Sequence, residues 1–365
     1  MGLPWWFRVA VVLSLAACVP PRAPRRDAGV DASDGGVPVI FSIGIGDNAN
    51  VSHQVAPYIN LMFETGSPST DTVLSRRVLV PPVVDGLDSD WANIAGSQIP
   101  LQPAGASIGM RVEEWNAGYG LLTDGGLKPW DFGIDHVFVK SAFDDTNIYF
   151  MIQWADATAN ISKNTLTFTS AGWVRSTEDE DHLYLSFDVT FPDHAELGCV
   201  AACHLRERLD DTSDAGIYFR TRMHTNGPGE VSDVWHWGSV ATNPISHADD
   251  LSFGQTTRVN DTGTGFSGNN RVTVDGGLQP SSMSEFGVNS NPSAIYAPDS
   301  GLHPAAVPFN PDGGIAIGTR IPGLVYQQPS GSRADVHAVG QWRNGKWTVE
   351  LMRARVTSDP NDTQF

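Results

Sequence analysis

The chain has 365 residues, with 41 acidic against 23 basic side chains and a formal net charge of −18 at pH 7. This acidic balance argues against a nucleic-acid partner, because binding to phosphates needs a basic surface. The length allows a domain with a sizeable core, whereas 3 cysteines are too few for a secreted fold stapled by several disulfides.

The N-terminus predicts export from the cytoplasm. Residues 1–18 carry one positive charge, at Arg8, and an apolar stretch, Val9–Leu15, that is too short to span a bilayer as a helix. Leu15-Ala16-Ala17-Cys18 resembles a bacterial lipobox, so we expect a lipoprotein signal peptide with Cys18 as the lipidated residue. An ordinary signal peptide with a chance cysteine is the alternative. The expected location is the periplasm or the outer membrane, with membrane contact through the lipid anchor.

Three segments follow the signal. Residues 19–38 are rich in Pro and Arg and then in Asp, Gly and Ser, a composition typical of a disordered linker. We expect residues 39–77 to be a loose N-terminal extension and residues 78–365 to form a single globular domain.

The domain is predicted to be all-β, an antiparallel sandwich with long loops. Short runs rich in β-branched and aromatic residues alternate with turn residues, and long helical periodicity is absent. Asp144-Asp145-Thr146-Asn147 separates two such runs and predicts a hairpin. Residues 260–333 are heavy in Gly, Pro, Ser and Asn and predict loops or an insertion. The predicted strands are Val78–Val80, Gln98–Leu101, His136–Phe143, Ile148–Trp154, His182–Val189, Gly216–Arg222, Arg271–Val274 and Lys346–Arg355.

The sharpest motif is Gly198-Cys199-Val200-Ala201-Ala202-Cys203-His204. A c-type haem attachment run usually has two residues between the cysteines and a histidine directly after the second. Here three residues intervene, which still leaves Cys199 and Cys203 free to form thioethers, with His204 as the proximal iron ligand. Three other interpretations remain open: a strained disulfide, a zinc site that adds His204 and His194, and a structural pair without chemistry.

Further short stretches resemble one known family in their order along the chain. They are Val84–Trp91, Asn147–Asp156, Gly198–His204, Asp233–Gly238 with Thr242-Asn243-Pro244 and His247–Asp250, then Trp342, Gly345–Glu350, Arg353 and Asp359–Asp362. Together they resemble, over about residues 79–365, the haem-binding domain family typified by the gamma subunit of ethylbenzene dehydrogenase and related molybdenum enzymes.

The resemblance implies a β-sandwich with haem at one edge, acting as an electron relay beside a larger redox enzyme. Well-known members hold haem b noncovalently through methionine and lysine, whereas here the Cys/Cys/His run occupies roughly the methionine's stretch. We therefore expect covalent c-type haem with His204 as a ligand, and haem b as the alternative. Relatives continue beyond the Asp-Pro-Asn-Asp turn, so the resemblance also implies a domain that is incomplete at its C-terminus.

The second axial ligand is expected to be His236 or, next in order, Met223. Strand alternation would turn His236 away from Trp235 and Trp237, which are packing residues and candidates for contact with the porphyrin. His224 and His337 are further histidines near predicted strands.

Two functions of different classes follow from these residues. The first is a haem-binding electron-transfer lipoprotein, not itself an enzyme, whose partner is a molybdenum oxidoreductase or another cytochrome. The alternative is a carbohydrate- or ligand-binding surface lipoprotein, because similar sandwiches stack sugars on exposed aromatic rings. The acidic pairs Asp210-Asp211 and Asp249-Asp250 are expected to be solvated, and a glycosidase role for them is the alternative. For Asp249-Asp250, calcium binding or a position near a haem propionate are further alternatives.

Overall fold

The computed structural model describes a defined part of the chain: residues 39–47, 52–55, 59–63, 72–100, 102–103, 136–178, 180–192, 194, 203–209, 218–223, 225, 227–254, 258–273, 276–288 and 292–365. They lie in the compact unit Gly35–Phe365. The expected signal peptide with Cys18, the expected linker, Cys199, Asp210-Asp211 and His224 lie outside the described residues. No helix within the described ranges is long and apolar enough to cross a membrane.

The fold is all-β, as predicted, with short 3₁₀ turns at Asn243–Ile245, Pro298–Ser300 and Ser332–Ala334. The strands are β1 (Val39–Asp47), β2 (Ser52–Val55), β3 (Ile59–Phe63), β4 (Thr72–Arg77), β5 (Gly96–Pro100), β6 (Gln102–Pro103), β7 (His136–Phe143), β8 (Asn147–Ala155), β9 (Leu166–Thr169), β10 (Gly172–Arg175), β11 (His182–Asp188), β12 (Cys203–Leu209), β13 (Tyr218–Met223), β14 (Ser232–Gly238), β15 (Asp249–Phe253), β16 (Arg258–Asn260), β17 (Thr264–Gly268), β18 (Arg271–Val272), β19 (Leu278–Gln279), β20 (Ser282–Ser284), β21 (Ala306–Pro308), β22 (Arg320–Ile321), β23 (Leu324–Ser330), β24 (His337–Trp342) and β25 (Lys346–Ala354).

One large sheet folds over to make both layers of the sandwich. Its strands run in the order β16-β15-β14-β11-β1-β3-β4-β7-β8-β25-β24, antiparallel throughout except for the parallel pairs β3–β4 and β4–β7. Aromatic rings from distant positions in this order meet in the core. Trp237 of β14 lies 6.2 Å from Trp154 of β8 and 5.1 Å from Trp347 of β25, measured between ring centroids. The two halves of the sheet therefore face each other and bury one apolar core between them.

The two layers are also joined along one edge. His247, just before β15, forms an isolated antiparallel bridge with His337 of β24. Near it, the side chain of Asn243 donates to the Gly340 carbonyl at 3.1 Å and accepts from the Gly340 amide at 2.8 Å. The asparagine amide thus supplies the hydrogen bonds that a neighbouring strand would make.

The predicted hairpin is confirmed. Asp144 Oδ1 accepts from the backbone amides of Thr146 and Asn147, each at 2.7 Å, and the Asp144 amide donates to the Asn147 carbonyl at 3.0 Å. This side-chain turn fixes the register of β7 on β8, which pairs Phe143 with Ile148. The strands predicted near β5, β11, β13, β18 and β25 are confirmed, with ends that differ by a few residues.

Two strand predictions near the start of the domain are wrong. Val78–Val80 follows the end of β4 and forms no strand: the Val78 amide still donates to the Phe143 carbonyl at 2.8 Å, but Leu79 and Val80 are 92% and 83% exposed. The family resemblance also implies an opening strand with a packed tryptophan at Val84–Trp91, but this stretch is a loop. Its tryptophan is nevertheless buried, as expected.

The Val84–Trp91 loop is held by one buried carboxylate. Glu350 Oε2 accepts from the amides of Asp85 at 2.8 Å and Gly86 at 2.5 Å, and Oε1 accepts from the indole of Trp91. Gly86 has φ +79°, a backbone conformation that favours glycine, and its Cα lies against Gln341. The Asp-Gly turn therefore wraps a fully buried glutamate.

The prediction that residues 39–77 form a loose extension is also wrong. Strand β1 lies in the middle of the large sheet, paired with β11 on one side and β3 on the other. Phe41 and Ile43 are fully buried in the core. The central place of the segment could not be inferred locally, because one of the partners of β1, β11, is more than a hundred residues away in sequence.

Residues 260–333 form short strand pairs and connecting loops, among them β17–β23, β18–β19 and β20–β21. They bury two small apolar clusters of their own. One contains Leu324 and Tyr326, and the other contains Val288, Phe309 and Ile321 packed against Trp173 of β10.

Candidate functional site

Strand β14 separates two environments. Trp235 and Trp237 point into the core, where Trp235 lies 5.8 Å from Phe150 of the opposite layer. His236 points to the other side, where its ring stacks on Tyr184 of β11 with 4.1 Å between centroids and a 6° interplanar angle. Alternation along the strand therefore places His236 away from both indoles, as predicted.

The side of β11 and β14 that carries His236 holds further histidines. We call the surface formed by His182, Tyr184, Ser186, His194 and His236 the histidine face. The His182 ring meets the His236 ring edge-on at 5.8 Å. His194 Nε2 lies 3.1 Å from Ser186 Oγ, which in turn lies 2.8 Å from Ser232 Oγ. All three histidines are less than 9% exposed, so this side of the sheet is covered.

Burial lowers the pKa of His194 to about 3, because the charged imidazolium loses its hydration. This imidazole is therefore neutral at physiological pH. A neutral ring keeps a lone pair, which it can give to a metal ion or to a hydrogen-bond donor.

The predicted haem attachment motif ends at a strand pair. Cys203 and His204 begin β12, which pairs antiparallel with β13. The register sets Cys203 opposite Met223 and His204 opposite Arg222, followed by a bulge before Glu207. The hairpin thus brings the backbone of Met223, the second predicted distal ligand, alongside the second cysteine.

Both ends of the segment that carries the two cysteines leave from the histidine face. At its start, His194 contacts Ser186. At its end, the Thr225 amide donates to the Gly254 carbonyl at 2.9 Å. Gly254 follows Phe253, whose register partner in β14 is Ser232, and Ser232 is the residue that Ser186 contacts. The segment therefore starts and finishes at the same end of this surface.

The other predicted residues lie elsewhere. Trp235 and Trp237 are fully buried in the core, on the opposite side of β14 from His236. Their expected contact with a porphyrin stays a prediction. His337 pairs with His247 at the edge where the layers join, and burial lowers the pKa of its imidazole.

The acidic pair Asp249-Asp250 is buried, contrary to the expectation of solvated acids, and its two residues belong to two different ion-pair networks. Arg333 binds both oxygens of Asp249, at 2.9 and 3.0 Å. Asp250 instead binds the fully buried Arg353, 3.1 Å away, which also pairs with Asp233 at 2.9 Å. The Arg353 guanidinium lies over the ring of Trp235 at 4.7 Å, which links this network to the core side of β14.

The Arg353 network was not foreseen as a site. Arg353, Asp233, Asp250 and Asp362 each fall within the family-like stretches of the sequence, yet nothing local joins them, since they come from β25, β14, β15 and the C-terminal turn. Only a charged residue within a largely apolar strand, as Arg353 is near the end of β25, signals such a partner in advance.

Comparison with known proteins gives one family. A family model described as "Ethylbenzene dehydrogenase" matches residues 88–365, which is most of the chain. No curated protein matches it.

Proposed function

The chain belongs to the ethylbenzene dehydrogenase family and is thus related to oxidoreductases, and from this premise we propose that it carries electrons on a haem attached to Cys199 and Cys203. The observation that supports the proposal most directly is the placement of the cysteine segment, which starts at the buried histidine face and ends next to it, at Gly254.

The donor set of the segment fits a c-type haem. Two thiols and an adjacent histidine are the groups that form two thioethers and one iron bond. Cys199 is five positions after His194, and an extended chain of that length spans at most about 18 Å. The proposal therefore requires the haem to be attached at Cys199 within this reach of His194.

Each group has a distinct role in this proposal. Cys199 and Cys203 would hold the cofactor covalently, and His204 would bind the iron through an imidazole nitrogen. His236 would be the first candidate for a second iron ligand and Met223 the next. The haem supplies reversible one-electron chemistry when it is bound, while the buried surroundings exclude water and set the reduction potential.

The proposed setting is a membrane surface outside the cytoplasm. Lipidation of Cys18 would hold the domain there, and its redox partner would be an oxidoreductase, of the molybdenum class, or another cytochrome. The chain itself would relay electrons without making or breaking substrate bonds.

The described surface does not favour the carbohydrate-binding alternative. Sugar-binding sandwiches present exposed aromatic rings, and among the residues whose side-chain exposure the structure describes, Phe286 is the one exposed aromatic side chain. A row of rings suited to stacking on sugars is therefore absent from that part of the surface.

The first experiment tests covalent attachment. The full chain is expressed with a cytochrome c maturation system and denatured, and its pyridine haemochrome spectrum is recorded. We expect haem to stay with the denatured wild-type chain and to be lost from Cys199→Ala/Cys203→Ala. Cys18→Ser is the matched control: it removes the remaining cysteine, should keep haem, and should reduce partitioning into membranes.

Three outcomes would contradict the proposal in different ways. Haem that is extracted on denaturation would mean haem b held without thioethers. One zinc ion per chain and no haem would establish the Cys/His zinc site. Neither cofactor, together with binding of sugars that survives the double cysteine variant, would favour the carbohydrate-binding alternative.

A second experiment assigns the distal ligand. His236→Gln is compared with His303→Gln, which alters a histidine whose side chain is 71% exposed and pairs with Glu285. If His236 binds the iron, its variant alone changes the haem spectrum and the reduction potential. Unchanged spectra in both variants would transfer the role to Met223, which is then tested as Met223→Ala.

A further inference from the structure

Six aspartates surround one arginine near the C-terminus. We call Asp233, Asp250, Asp261, Asp335, Asp359 and Asp362 the acid cluster. Arg353 Nη1 lies 2.9 Å from Asp233, 3.1 Å from Asp250 and 3.7 Å from Asp362. One guanidinium thus serves several carboxyl groups, and the cluster carries more negative charge than Arg353 can balance.

Several oxygens of the acid cluster are buried and accept no hydrogen bond. They are Asp233 Oδ1, Asp250 Oδ1, Asp261 Oδ2, Asp335 Oδ1 and Asp362 Oδ2. Asp233 and Asp250 are each 1% exposed, and Asp362 is 4% exposed. A buried carboxylate oxygen without a donor is costly, so each of these atoms calls for a proton or a cation. The carboxyl groups of Asp250 and Asp335 also face each other, and this contact likewise needs a proton or a cation between them.

Three members of the cluster have the spacing of a metal site. One oxygen each from Asp261, Asp359 and Asp362 lies within 4.8 Å of the others. Calcium binds oxygens at about 2.3–2.6 Å, so two ligands on opposite sides of the ion are about 5 Å apart. Two residues of this trio, Asp261 and Asp362, also carry a buried Oδ2 that accepts no hydrogen bond.

The trio is also accessible and held in place. Asp261 follows β16, whereas Asp359 and Asp362 belong to the C-terminal turn. In that turn Asp359 Oδ1 accepts from the Asn361 amide at 2.9 Å, and the Asp362 amide donates to the Asp359 carbonyl at 3.3 Å. Asp261 and Asp359 are partly exposed, which gives an ion a path from solvent.

We propose that Asp261, Asp359 and Asp362 bind a calcium ion. An all-oxygen donor set suits a hard cation, and it does not suit zinc or copper, which prefer nitrogen and sulfur. Carboxylates from separate loops give the flexible geometry that calcium accepts and that magnesium, with its strict octahedron, does not. The ion would fasten the C-terminal turn to the end of β16, beside Arg353 and the Trp235 ring that it covers.

The test uses the full chain after treatment with EDTA. Calcium binding is measured by isothermal titration, and the melting temperature is measured with and without calcium. We expect one calcium per chain and, at a calcium concentration about 100 times the Kd, a melting temperature raised by about 5 °C. Asp261→Asn and Asp359→Asn should each weaken binding by at least about tenfold. Asp312→Asn, at an exposed acid in a turn outside the cluster, should bind calcium like the wild type.

Direct titration of the wild type keeps the test independent of whether a variant folds. Absence of binding heat together with an unchanged melting temperature at millimolar calcium would overturn the proposal. So would wild-type affinity in both Asn variants, or magnesium binding as tight as calcium binding. A proton shared between the carboxyl groups, in place of an ion, would also contradict the proposal. In that case the Asn variants in EDTA would melt above the wild type by about as much as calcium was expected to raise the melting temperature of the wild type.

Discussion

At the scale of single residues, Glu350 illustrates how burial can outweigh good hydrogen bonds. Three donors point at its carboxylate, which would ordinarily favour the charged form. Burial nevertheless raises the pKa of Glu350 to about 7, with a smaller contribution from the charge of Asp90. The folded protein therefore holds a proton on Glu350 at pH values where the unfolded chain does not.

This difference predicts how stability depends on pH. Between the ordinary pKa of 4.5 and about 7, the folded state binds more protons than the unfolded state. The free energy of unfolding should therefore fall as pH rises through this range, by about 3 kcal/mol from Glu350 alone. Glu350→Gln has no proton to lose, so its stability should depend less steeply on pH.

Urea unfolding between pH 4.5 and 8 measures the effect. Glu178→Gln is the control, because Glu178 is exposed and Arg320 lies 3.1 Å from it at the surface. That variant should keep the wild-type slope over the upper part of the range. An equal pH dependence in the wild type and in Glu350→Gln would show that Glu350 is ionised throughout.

At the scale of secondary-structure elements, the β7–β8 hairpin depends on the first residue of its turn. Asp144 accepts from two backbone amides, and these bonds hold its pKa near 2 against the effect of burial. Asp144→Ala removes both acceptor bonds and should lower the free energy of unfolding by about 1–2 kcal/mol.

The next residue offers a matched comparison. Asp145 is 81% exposed in its side chain and pairs with Arg77 at the surface. Asp145→Ala should therefore cost less than about 0.5 kcal/mol. Chemical denaturation of the two variants side by side measures the difference. Similar losses would mean that charge near the turn, and not the acceptor bonds, fixes the hairpin.

The comparison of these elements shows what sequence could predict. Local chemistry predicted the hairpin, because the turn residues and both strands are contiguous. It also predicted the side on which His236 lies, because alternation along one strand needs no partner. The central place of β1 could not be predicted, since its register depends on β11, far away in the chain. The apolar run Val78–Val80 was misleading because it has the composition of a strand, whereas Leu79 and Val80 are exposed and belong to no strand.

At the scale of the whole molecule, the boundary of the folding unit differs from the boundary of the family match. The match begins at residue 88, whereas β1, β3 and β4 connect the two layers of the sandwich. A chain that begins at Pro38 should therefore fold, and one that begins at Val78 should not. Without β1 the core loses Phe41 and Ile43, and β11 loses its neighbour.

Near-UV circular dichroism during heating distinguishes the two chains. We expect a cooperative transition for residues 38–365 and none for residues 78–365. Equal melting temperatures would show that the first strands add to a domain that is already complete.

The sequence motif of the candidate site could be recognised in advance, but its position in the fold could not. The spacing of Cys199, Cys203 and His204 suggested the chemistry directly. The surface from which the segment departs could not be inferred, because it combines β11, β14 and the residues after β15. The acid cluster could not be inferred for the same reason, because its members come from five separate stretches of the chain.

The opposite faces of β14 have a consequence for how such proteins diverge. Residues 235 and 237 pack in the core, and residue 236 packs on the other side of the sheet. A lineage can therefore exchange the residue on the histidine face while the core beneath is inherited unchanged. Selection on the histidine face and selection on folding therefore act on alternate positions of one strand, so related chains can differ on this face and still share one core.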